Sequence, residues 1–128
     1  MSPTQCGRKD TRFESARFLR TFICQYGADE KKATSLVTAM LREARTASPS
    51  GTSEELRNAF LRIVNEKTSE LAALAPKLPQ MLPHRWRFLL LVEGCGSSYG
   101  KAAEITGYEV GTIKSGLHRL RKILADVA

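Results

Sequence analysis

Apolar residues in this chain recur at three- and four-residue steps in one stretch after another, and no stretch alternates convincingly enough to make a strand. That pattern predicts an all-α protein. Phe13, Ala16, Leu19, Phe22, Ile23 and Tyr26 line one face of a helix from Thr11 to about Tyr26, with frayed residues before it and Gly27 as its stop. Ala33, Leu36, Val37, Met40, Leu41 and Ala44 line a second helix, Asp29 to about Ala47, whose first-turn Asp29 and Glu30 suit its positive end. After the turn-rich "SPSGTS", Ser53 is the expected N-cap of a third helix carrying Leu56, Phe60, Ile63, Val64 and Leu71. That helix runs either to about Ala75 or only to Lys67.

"APKLPQMLP", residues 75–83, holds three of the five prolines and therefore reads as a linker, with Leu78 and Leu82 tucked onto neighbours. Beyond it a short helix is expected over Pro83 to Val92, with Trp86 and Phe88 as its core anchors. "EGCGSS" breaks it; helices over Ser98–Ile105 and Glu109–Ala125 follow. The expected architecture is thus all-α: two small three-helix domains, residues 11–75 and 84–128, joined by a linker at 76–83.

Composition narrows the function. Lys and Arg number 20 against 13 Asp and Glu, a net charge of +7, which favours polyanionic partners. The longest apolar run, "FLLLV", falls far short of the ~20 residues that cross a bilayer, and the polar N-terminus offers no signal peptide. No membrane partner is expected. Three cysteines without a CxxC spacing fit reduced thiols in a cytoplasmic protein. The two histidines, His84 and His118, have no nearby partner for a triad or metal site, and the adjacent carboxylates lie at helix starts. No enzyme, catalytic residue, metal or cofactor is expected.

The last two helices carry the functional signal. Ala103, Gly107 and Ile113 have the spacing of a helix-turn-helix: a small residue at the helix crossing, a glycine where the turn needs positive φ, and an apolar residue seating the second helix. In the last helix Val110, Ile113, Leu117, Leu120 and Leu124 share a narrow apolar face. Ser115, Arg119 and Lys122 lie opposite, with Thr112 and His118 at their sides and Lys114 and Arg121 flanking the apolar stripe. Such a helix can bury one side and lay the other in a major groove.

These residues also carry a resemblance. "LPHRWRFLLLVEGCGSSYGKAAEITGYEVGTIKSGLHRLRKIL" resembles region 4 of extracytoplasmic-function sigma factors through Leu82, Pro83, Arg87, Leu90, Ser98, Tyr99, Ala103, Gly107, Gly111, Thr112, Ile113, Lys114, Ser115, Leu117, Arg119 and Arg121. "SPSGTSEELRNAFLRIVNEKTSEL" is similar to a region 2 segment of general-stress members, through Pro49, Gly51, Thr52, Leu56, Arg57, Ile63, Ser69, Glu70 and Leu71. The resemblance implies a transcription-initiation subunit that reads the promoter −35 element and binds core RNA polymerase. Its implied DNA contacts are Thr112, Lys114, Ser115, His118, Arg119 and Lys122. An anti-sigma factor is the alternative partner, for a sigma mimic, and a stand-alone helix-turn-helix regulator is a further alternative.

The chain departs from that pattern in three places. Gly116 stands where the family has a basic residue, which would remove a DNA contact and costs about 1 kcal/mol of helix propensity. Around Leu36 and Val37 the family's acidic run is replaced by Lys32, Thr34, Ser35, Thr38 and Ala39, which should weaken docking on a basic partner. Ala59 aligns with the family's tryptophan before the −10 reading helix, where promoter melting calls for aromatic residues.

Overall fold

The computed structural model describes residues 3–48, 51–78 and 83–127, with side chains for 14–48, 51–78 and 86–125. Among them are seven helices, α1 (Pro3–Gln25), α2 (Glu30–Ala47), α3 (Ser53–Glu66), α4 (Thr68–Leu74), α5 (Pro83–Leu89), α6 (Tyr99–Thr106) and α7 (Val110–Val127), and a π-helical turn (Leu90–Gly94) that continues α5. No strand occurs among the described residues.

The caps follow short-range chemistry. Asp29 accepts the Lys32 N–H at 3.0 Å and starts α2. Thr52, not Ser53, caps α3: its hydroxyl accepts the Glu55 N–H at 3.2 Å. Gly51, at φ +71°, turns the chain so that Thr52 is still extended and Ser53 is already helical. Helix α1 begins at Pro3, earlier than the expected Thr11; proline suits a first turn because its missing N–H has no helical partner there. The side chains of Phe13 and Leu82, both expected against the core, lie outside the described residues.

The alternative ends foreseen for the third helix meet in one kink. α3 stops at Lys67, whose N–H still reaches the Ile63 carbonyl, and α4 resumes at Thr68. The Thr68 side chain is buried and donates to the carbonyls of Val64 and Asn65. A threonine hydroxyl bonded back to the preceding turn competes with the backbone and bends a helix.

The stretch expected as a linker is held down along its first part. Ala75 and Leu78 are buried, and the Lys77 N–H donates to the Tyr26 carbonyl at 2.8 Å. Pro76 and Lys77 lie against Gly27, which at φ +97° reverses the chain between α1 and α2.

Helix α5 and its π turn form the centre. Trp86, Phe88, Leu89, Leu90 and Leu91 are all buried, so this segment is apolar around most of its girth, as a helix enclosed on all sides must be. It meets α4, α1, α3, α6 and α7. One contiguous core cluster runs from Ala16 to Leu120. The residues expected to form two domains therefore bury their apolar faces against each other.

Two glycines lie where α1 meets the π turn and the residues after it. A Cβ at Gly94 would lie 3.2 Å from Leu19 Cδ1, and one at Gly96 would lie 3.4 Å from the Phe18 ring. A side chain at Gly94 would push Leu19 back by a few tenths of an ångström, while Gly96 leaves room for ordinary contact with Phe18.

Candidate nucleic-acid interface

The turn between α6 and α7 has the expected build. Ser98 caps α6 by accepting the Lys101 N–H at 3.1 Å. Gly107 ends the helix in the left-handed region at φ +81°, and its N–H reaches the Ala103 carbonyl at 2.9 Å. This is the C-terminal geometry that glycine adopts without steric cost. Ala103 is half-buried and packs on the core, and Ile113 is fully buried. The three residues singled out by spacing thus hold α6 and α7 together.

The apolar stripe of α7 is shorter than expected. Ile113 and Leu117 are 0% exposed and Leu120 is 1% exposed. Burial of three such side chains stabilises the seat by roughly 5–9 kcal/mol as an upper bound. Leu124 is half-buried, while Val110 is 37% exposed. Val110 is corrected from core to surface: it stands at the first turn, ahead of the crossing with α5.

Position 116 belongs to the seat and not to the outward face of α7. A Cβ on Gly116 would meet Phe88 Cδ2 at 3.1 Å. Phe88 in turn packs edge-on against Tyr108, with ring centroids 5.1 Å apart. The glycine that looked like a lost contact is where α7 crosses the Phe88 ring.

Thr112, Lys114, Ser115, His118, Arg119 and Lys122 are all exposed. They ring the side of α7 away from Ile113, Leu117 and Leu120. Lys114, Ser115, His118 and Arg119 line one shallow, open depression. Gly111 joins this face, with no atom near a Cβ placed on it, so the backbone itself is accessible at the start of the helix. A stripe of Arg, Lys, Ser and Thr on an exposed helix, beside a side-chain-free position, can reach base edges and phosphates in a groove ~12 Å wide.

Two further residues carry no role read from the sequence: Tyr99, which figures there only in the family match, and Glu93. Tyr99 of α6 lies beneath Lys114, whose Nζ stands 5.5 Å from the ring centroid. Its phenolic oxygen also accepts from Arg121 at 3.5 Å. Glu93 of the π turn accepts from Arg121 Nε at 2.6 Å. Hydrogen bonds to Tyr99 and then Glu93 hold the Arg121 pKa above its ordinary value. Arg121 therefore ties α7 to the π turn and α6 instead of joining the outward face. The pair is exposed enough that it contributes only about 0–1 kcal/mol to stability. Its role is to orient. Sequence separations of 28 residues for Glu93–Arg121 and 22 for Tyr99–Arg121 leave no local signal of these contacts.

The remaining surface offers little chemistry. Among the described residues no group of three His, Cys, Asp or Glu is placed to hold a metal ion, and no helix is long and apolar enough to cross a membrane. Burial pushes the Cys95 thiol up, away from the thiolate form that reacts or binds metal. Thr34, Ser35, Thr38 and Ala39 lie exposed on α2 beside Lys31 and Lys32, so residues 31–39 present no exposed carboxylate; Glu30 and Glu43 lie exposed to either side of them. Ala59, by contrast, is buried in the core and cannot stack on an unpaired base.

No protein-family model matches the chain, and no curated protein and no solved structure was found similar to it.

Proposed function

We propose that this protein is a sigma-like transcription regulator that lays α7 in the major groove of promoter DNA. The site it reads corresponds to a −35 element. Thr112, Ser115, Arg119 and Lys122 face the groove, and Lys114 and His118 border it. The observation that supports this reading is the division of α7 into two sides. All six residues expected from the sequence are exposed, and the opposite side is buried against α5 and α6. The net charge of +7 adds a general attraction to duplex DNA.

Titration of a random duplex pool and of selected duplexes at several salt concentrations tests it. Arg119→Ala with Lys122→Ala should weaken binding of every sequence. The slope of log affinity against log salt should fall in magnitude by about two if each side chain neutralises one phosphate. An unchanged affinity and slope would remove this face of α7 from DNA binding.

Recruitment of core RNA polymerase is the finer part of the proposal. The exposed face of α2, with Lys32, Thr34, Ser35, Thr38 and Ala39 in place of an acidic run, should make that complex weak and salt-sensitive. The same face favours a second reading, a cytoplasmic sigma mimic that occupies an anti-sigma factor. Gel filtration with core polymerase at low and moderate salt separates the two: a complex supports the first reading, and none at either salt supports the second.

A further inference from the structure

We infer that the whole chain engages DNA as one body, on a single duplex site about one helical turn long, with α1–α4 serving as a fixed buttress behind the helix-turn-helix. This rests on the reading of α7 as the DNA-contacting helix and adds to it the size and form of the target.

Three observations carry the inference. The first is the crossing of α1 over the π turn. Leu19 and Phe22 lie against Gly94, where an added Cβ would stand 3.2 Å from Leu19 Cδ1, and the Phe18 ring lies against Gly96. Leu19 and Leu90 are fully buried in the same cluster as Leu117. Separating α1 from the π turn would open the core cluster that also holds the buried side of α7.

The second is how little chain is free to extend. Ala75 and Leu78 are buried, and the Lys77 N–H is held by the Tyr26 carbonyl. From Leu78 to the start of α5 at Pro83 there are five residue steps. Fully stretched they reach ~18 Å. One turn of duplex is ~34 Å. Even if the core opened, the connecting chain alone would separate the two halves by only about half a duplex turn unless α4 also unravelled.

The third is that the DNA face needs no opening. Thr112, Lys114, Ser115, His118, Arg119 and Lys122 are exposed while the two halves share their core. Closed packing and access to the groove are compatible. A compact chain of 128 residues is about 36 Å across by size scaling, close to one turn of duplex.

Two measurements with the full chain test this. Hydroxyl-radical footprinting on a duplex selected from a random pool should show one continuous protected region of about 10–12 base pairs. Two protected segments more than a turn apart would overturn the single-body mode while leaving α7 as a DNA-contacting helix. No protection at all would overturn the reading of α7, and the inference with it. Native-state hydrogen exchange on the free chain is independent of DNA. Amides in Leu19–Ile23, Phe60–Val64 and Ile113–Leu120 should open together, with one common protection factor. Release of the first two segments while the third stays protected would overturn the buttress.

Discussion

Tyr99 shows how one side chain can serve two basic residues at once. Its ring lies beneath the Lys114 ammonium and its hydroxyl accepts from Arg121. A cation over an exposed ring gains about 0.5–1 kcal/mol, enough to bias where the lysine points. Tyr99→Leu should lower DNA affinity several-fold, and Tyr99→Phe, which keeps the ring, should restore most of it. Fluorescence anisotropy on one duplex checks both variants. Equal losses would assign the effect to the hydroxyl and Arg121. Gly116 is a second residue-scale test. A larger side chain must displace Phe88, so Gly116→Leu should destabilise the fold by about 1–3 kcal/mol in chemical denaturation. The sequence made Gly107 and Ile113 legible because turn chemistry and helical spacing are local. It hid the roles of Tyr99 and Glu93 and the purpose of Gly116, because each depends on a partner 15 or more residues away.

At the scale of the helix, boundaries follow caps and breaks more than propensity. Thr52→Ala removes the acceptor for the Glu55 N–H and should cost about 1 kcal/mol, with little effect from Ser53→Ala. Thermal or urea unfolding of the two variants side by side separates the candidate caps. The helix faces read from periodicity are the buried ones: Ala33, Val37, Met40 and Ala44 in α2, and Leu56, Phe60, Ile63 and Val64 in α3. Ala59 and Leu61, also buried, widen the α3 face beyond one stripe because α3 is packed on several sides. The kink at Lys67 was visible only as two competing ends, since Thr68 decides it through a hydroxyl that bonds backward. The wider turn after Leu89 had no periodic signature; the "EGCG" stretch marked a break but not its shape.

At the scale of the molecule, the central fact is one core cluster where the prolines and the family resemblance suggested two domains. Prolines mark a stretch that is not helical, but they do not say whether its neighbours come apart. Here Ala75 and Leu78 turn the stretch into part of the core. A single cooperative transition is therefore expected. Trp86, buried on α5, reports on the second half, while far-ultraviolet circular dichroism reports on all the helices. The two signals should give the same denaturant midpoint; separated midpoints would show halves that melt independently. The π turn has a consequence for how this chain lines up with others. The Cys95 N–H closes on the Leu90 carbonyl, five residues back, where an ordinary helix spans four. One residue is thereby absorbed without lengthening the rod. Threaded onto a regular helix of the same length, the chain slips by a single position at Leu90–Gly94. A correct alignment must place its gap in the last helical turn, before the break at Cys95.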